Sequence, residues 1–141
     1  MRYSATLRET SYSNTITTEN ELATIIVDCA FKVHNTLGPG LLETVYQAAL
    51  AHELRKRGLS ISVERGIPVT YEDVNLELGF RADIIVENKV IIEIKSIEAL
   101  SPVHSKILLT YLRFADMKLG ILLNFNVHLI KEGIRRVVNN L

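Results

Sequence analysis

The 141-residue chain has no tryptophan, one cysteine, three prolines and no net charge, since sixteen Lys and Arg balance sixteen Asp and Glu. A lone thiol, Cys29, excludes an intrachain disulfide and a cysteine-cage zinc site; on an apolar helix face it is expected to be an inert core residue. The charge balance excludes a global basic field, so an anionic partner must be held by a local patch or a metal ion. No apolar run approaches the roughly 18 residues of a membrane span. The opening MRYSATLRET lacks the apolar stretch of a secretory signal. A soluble, cytoplasmic chain with no membrane partner is expected. What is present is a hydrophobic fraction of 48%, enough for the core of one domain.

Residues 1–17 are polar and aperiodic, and are expected to form a mobile arm ahead of a single domain over 18–141. Thr18 with Glu21 makes a capping box. Leu22, Ile25, Ile26, Cys29, Ala30, Val33 and Leu37 then recur at helical spacing, which predicts a helix over 19–37. Gly38-Pro39-Gly40 stops it, and a second helix is expected over 41–57. The period next falls to two. Strand is expected at Ile61–Val63 and Val69–Tyr71, broken near Gly66 and Pro68, then over Leu76–Val86 and Lys89–Ser96. Ser101-Pro102 opens a helix that runs to Ala115. Gly120–Phe125 suits a buried strand, and KEGIRRVVNNL fits either a last strand or a short helix. The strands around Asn88 are apolar on both faces, with Ala82, Ile84, Val86, Val90, Ile92 and Ile94 on one and Ile85 and Ile91 on the other. Both faces need cover, so the fold class is α/β, a mixed β-sheet flanked by helices.

Three charged residues interrupt these apolar strands: Asp83 in FRADIIV, and Glu93 and Lys95 in VIIEIK. An ionised group in a buried strand costs several kcal/mol unless it is paired or bound to a metal. Two readings follow. One is a buried ion pair that holds strand register. The other is a divalent-cation site in which two hard carboxylates suit Mg²⁺ or Mn²⁺ and the lysine orients a water or stabilises charge on phosphate. Parity restricts the second. A two-residue turn at Glu87-Asn88 would pair Val86 with Lys89 and put Asp83 and Glu93 on opposite faces. A three-residue loop, Glu87-Asn88-Lys89, pairs Val86 with Val90 and sets Asp83 across from Glu93. An odd loop is therefore expected, or an even one corrected by a bulge, with Asn88 or Lys89 in the left-handed region.

The second helix opens with Gly40, Glu43 and Tyr46 at three-residue steps, and Glu43, Tyr46, Gln47 and Leu50 share one stripe. Glu43 reads either as a carboxylate favoured by the helix dipole or as part of the charged site. Tyr46 reads either as a core aromatic with its hydroxyl satisfied or as a ligand contact. His34 could face the site, or be favoured at a helix C-terminus as a cation. Arg81, two residues before Asp83, is a phosphate contact or a salt-bridge partner. Arg55-Lys56-Arg57 and Lys131, Arg135, Arg136 are weak basic patches that fit solvated surface.

The runs LGPGLLETVYQAAL, FRADIIVENKVIIEIKSIEAL and LGILLNFNV closely resemble the GxxExxY family, named for its Gly-x-x-Glu-x-x-Tyr motif and placed in the PD-(D/E)XK nuclease superfamily. The resemblance covers about residues 20–138. It implies a restriction-endonuclease-like αβββαβ core, in agreement with the element order above. It places active-site carboxylates on Asp83 and Glu93, the lysine on Lys95 and the first-helix carboxylate on Glu43. The family's later helix carries His, Gln and Tyr. His104 and Tyr111 match, whereas Ile107 stands where Gln is common.

The expected function is a metal-dependent nuclease acting on DNA or RNA. Asp83, Glu93 and the Ile94 carbonyl would hold Mg²⁺ or Mn²⁺, Glu43 would complete the metal site through a bound water or a second ion, and Lys95 would assist a water. Tyr46, Arg81, His104, Tyr111 and His34 are the expected substrate contacts. A domain this small has little room for a separate binding module, so a homodimer is expected. The alternative from another class is a binding or assembly module that keeps the fold without turnover.

Overall fold

The computed structural model describes residues 17–141, so the arm expected at 1–17 lies outside the described residues except for Thr17. Helix α1 spans Glu19–Leu37 and α2 Glu43–Lys56. Strands β1 (Ile61–Tyr71), β2 (Val74–Val86) and β3 (Val90–Lys95) follow. Helix α3 (Pro102–Ala115), β4 (Leu119–Asn124), a short 3-10 turn (Ile130–Gly133) and β5 (Ile134–Val138) complete the chain. The ambiguous C-terminal segment thus resolves as the end of the 3-10 turn followed by a strand. The expected break near Gly66 and Pro68 is instead a register shift between Pro68 and Thr70 within one long β1.

The five strands lie in the order β1-β2-β3-β4-β5. Among the described residues only the β3–β4 pair is parallel, with α3 as its crossover. This is the mixed, helix-flanked α/β sheet expected from the sequence. Helices α1 and α2 cover one face: Leu22, Ile26, Cys29, Tyr46 and Leu50 pack on Ile84, Val86, Ile92 and Ile94. Helix α3 covers the other, with Leu108 and Leu112 on Ile85, Ile91 and Leu122. Gly120 lets α3 approach, because a Cβ there would meet Leu108 side-chain carbons at 2.8 Å. Among the described residues, no helix is long and apolar enough to cross a membrane.

The face assignment of β2 needs one correction. Ala82 packs with the α3 side, whereas Ile84, two residues on, packs with the α1–α2 side. Regular strands keep such residues on one face. The alternation breaks at Asp83. The flanking pairs Val63↔Ile84 and Arg65↔Ala82 put Glu64 of β1 opposite it, and Glu64 has a left-handed φ of 53°. The hairpin therefore turns its faces over at the Glu64–Asp83 position.

Candidate active site

The β2–β3 connection is the three-residue loop. Val86 pairs with Val90, Ile85 with Ile91 and Ile84 with Ile92. Glu87 and Asn88 both have φ of 53°, the left-handed pair of a tight hairpin turn, and the Lys89 N–H closes it on the Val86 carbonyl at 2.9 Å. Asn88 was expected there. Glu87 joins it and is tied to the residue that precedes β1: its N–H donates to the Ser60 carbonyl and its carboxylate accepts the Ser60 N–H.

Beyond Ile84↔Ile92 the regular ladder stops, and side chains take over its hydrogen bonds. The Asp83 carboxylate accepts the Ile94 N–H at 2.7 Å, and the Glu93 carboxylate accepts the Asp83 N–H at 3.1 Å. The two carboxylates thus meet in the opening between the strands. Each keeps one oxygen without a partner among the described residues. N–H and C=O of a strand residue point the same way, so the Ile94 carbonyl also faces this opening. The Lys95 carbonyl points the other way, to the Phe125 N–H of the β4 side.

The electrostatics match the crowding. Glu93 is only 8% exposed. Burial, and then the Asp83 charge, push its carboxyl up to about 8. Burial also raises Asp83, against the Ile94 N–H that favours its ionised form, and the Glu43 charge raises it further. Both carboxyls are therefore held toward their protonated form. Lys95 lowers both carboxyls but stands within 4 Å of no carboxylate among the described residues, so no Glu93–Lys95 ion pair fixes the register.

Glu43 is exposed at the start of α2 and is held at the end of β3. Its carboxylate accepts the Ser96 N–H at 3.3 Å, and the Ser96 hydroxyl donates to the Leu41 carbonyl at 2.6 Å. Ser96, which the sequence did not single out, thereby binds the α1–α2 loop to the strand that carries Glu93 and Lys95. No three His, Cys, Asp or Glu side chains close on one point among the described residues; Glu43 flanks the Asp83–Glu93 pair without joining it. On the α3 side, His104, Ile107 and Tyr111 enclose a cavity of about 90 Å³ with Glu93 and Lys95. Tyr111 stacks on Phe80 with centroids 4.0 Å apart. Its hydroxyl is raised by burial and then by the Glu93 and Asp83 charges.

Two expected contacts lie elsewhere. Tyr46 is fully buried, stacks on Phe125 at 4.5 Å, and uses its hydroxyl on the loop: it donates to the Gly38 carbonyl at 2.6 Å and accepts the Leu41 N–H at 3.1 Å. It sets the entry to α2 and cannot reach a substrate. His34 is 6% exposed, and its Nε2 bonds the Val127 carbonyl at 2.8 Å, a structural link rather than a ligand contact. Arg81 is exposed at the rim, 3.9 Å from Glu64, whose other oxygen accepts from Gln47 of α2 at 3.0 Å. No sequence signal marked Glu64, since its proximity to Asp83 comes from cross-strand register.

The residues fit a divalent cation. Two hard carboxylates, each with one oxygen unpartnered among the described residues, and one backbone carbonyl turned to the same opening make a donor set for a cation, whose charge would offset the burial and mutual repulsion that hold both carboxyls toward their protonated form. A family model of the PD-(D/E)XK nuclease superfamily matches residues 20–137. No curated protein and no solved structure matches the chain.

Proposed function

Because the chain belongs to the PD-(D/E)XK nuclease superfamily, we propose that it hydrolyses phosphodiester bonds of nucleic acid, with Mg²⁺ or Mn²⁺ at Asp83 and Glu93. The GxxExxY family is the branch that its Gly40, Glu43 and Tyr46 spacing fits. The observation that carries this reading is the paired carboxylates at the point where the β2–β3 ladder opens.

Asp83, Glu93 and the Ile94 carbonyl would hold the ion. When bound, it supplies charge neutralisation on the phosphate and a water of lowered pKa. Backbone N–H groups fix one oxygen of each carboxylate, which orients the other before any ligand arrives. Lys95, on the same strand two residues past Glu93, orients the attacking water and offsets charge that develops on the scissile phosphate. Glu43, held by Ser96, accepts a hydrogen bond from water at the margin of the site. Arg81 at the rim meets the phosphate backbone, and Tyr111 borders the cavity on the α3 side.

The test is strand cleavage in Mg²⁺ or Mn²⁺. Cleavage that stops on chelation and in Asp83→Asn is expected. Cleavage that survives both would remove the Asp83–Glu93 site from the chemistry.

A further inference from the structure

His104 occupies the third position of α3, and its Nδ1 accepts the Ser101 backbone N–H at 3.0 Å. An acceptor nitrogen carries no proton, so in the neutral ring the proton sits on Nε2. Glu or Gln usually fills this position of a capping box, because only a side-chain acceptor is needed there. A histidine satisfies the cap equally and, where ionised Glu has only a second acceptor oxygen, carries an N–H donor on the far side of the ring. The ring also borders the cavity shared with Glu93, Lys95 and Tyr111, and Nε2 has no partner among the described residues. One edge of His104 is thus spent on the fold, which leaves Nε2–H as the donor that a ring bordering this cavity can offer.

We propose that His104 is a fixed-tautomer hydrogen-bond donor that holds a phosphoryl oxygen through Nε2–H and takes no part in proton transfer. This inference rests on the nuclease reading. The chemistry excludes a general base at this atom, since Nε2 already carries its proton. It also excludes a general acid in the neutral ring, since loss of that proton would leave an imidazolate. A positioned neutral donor that strengthens as charge grows on the phosphate remains.

Two measurements on the full chain test it. The first is long-range ¹H–¹⁵N correlation on histidine-labelled protein above neutral pH, where imidazole is uncharged. It should show Nδ1 bare and Nε2 protonated, and the Nε2–H resonance should move when Ca²⁺ and a dinucleotide are added together. An Nδ1-protonated ring, or an Nε2–H signal unmoved by these probes, overturns the proposal. The second is cleavage by His104→Asn, whose Oδ1 can still accept the Ser101 N–H while nothing replaces Nε2. kcat/KM should fall about 100-fold, the usual cost of one positioned donor, with the limbs of the pH profile unchanged. A lost or displaced limb would assign proton transfer to His104 and overturn the proposal. Absence of cleavage by the unsubstituted protein would instead refute the nuclease reading, and the nuclear magnetic resonance result would still decide the donor role.

Discussion

Asp83 and Glu93 each bind the other's strand: the Glu93 carboxylate takes the Asp83 N–H, and the Asp83 carboxylate takes the N–H of Ile94. This exchange ends the ladder while giving the Asp83 and Ile94 N–H groups acceptors, and it brings two carboxylates together.

Mn²⁺ titrated into the protein in a calorimeter should give a binding isotherm that Asp83→Asn abolishes. The substitution keeps one acceptor for the Ile94 N–H, so the fold should persist in circular dichroism. Equal heats in both proteins would mean that the ion sits elsewhere.

Stability of the metal-free protein should fall as pH rises from about 5 to about 8. Folding raises the Glu93 carboxyl from its ordinary value to about 8, so in this window the folded state holds a proton that the unfolded chain has released. The raised Asp83 carboxyl adds a contribution of the same sign. Each such proton contributes at most about 1.4 kcal/mol per pH unit to the slope. Denaturant melts across this range should show the decline, Glu93→Gln should flatten it, and saturating Mn²⁺ should reverse it because the ion displaces the proton. Stability that rises through this window in the metal-free protein would contradict the burial of Glu93.

Tyr46→Phe and Glu43→Gln should separate structure from chemistry. Tyr46→Phe leaves the Gly38 carbonyl and the Leu41 N–H without their partner, at a cost of about 1–3 kcal/mol. Glu43→Gln, at an exposed position, should change stability by no more than about 0.5 kcal/mol yet lower cleavage. Melting temperatures and rates measured side by side check this; a destabilised Glu43→Gln of normal activity would make Glu43 a structural residue.

Much of this was legible in the chain. Helical spacing and the capping box fixed α1, and doubly apolar strands around Asn88 required helices on both faces of the sheet. For Asp83 and Glu93 to share a face, strand parity asked for an odd loop or an even one corrected by a bulge, and Val86↔Val90 supplies the odd loop. The rest depends on partners distant in sequence. His34 finds its acceptor at Val127, and Glu64 meets Asp83 only through register, so neither link has a local signature. Tyr46 shares a helical stripe with Glu43, yet burial against Phe125 and two loop hydrogen bonds, which periodicity does not encode, make it part of the core. The face reversal at Asp83 also escaped the alternation pattern, because the left-handed Glu64 lies on another strand.

The central claim is best tested by one comparison, cleavage of single- and double-stranded DNA and RNA in Mg²⁺ or Mn²⁺ by the native protein and by Lys95→Ala. Lys95 has no ion-pair partner within 4 Å among the described residues, so its removal should leave the melting temperature nearly unchanged. Cleavage of at least one substrate by the native protein, and its loss by about 100-fold or more in Lys95→Ala, is the predicted result. No cleavage by either protein, with a melting temperature that collapses in Lys95→Ala, would contradict the account and make the chain a nuclease-fold module held together by its charged trio.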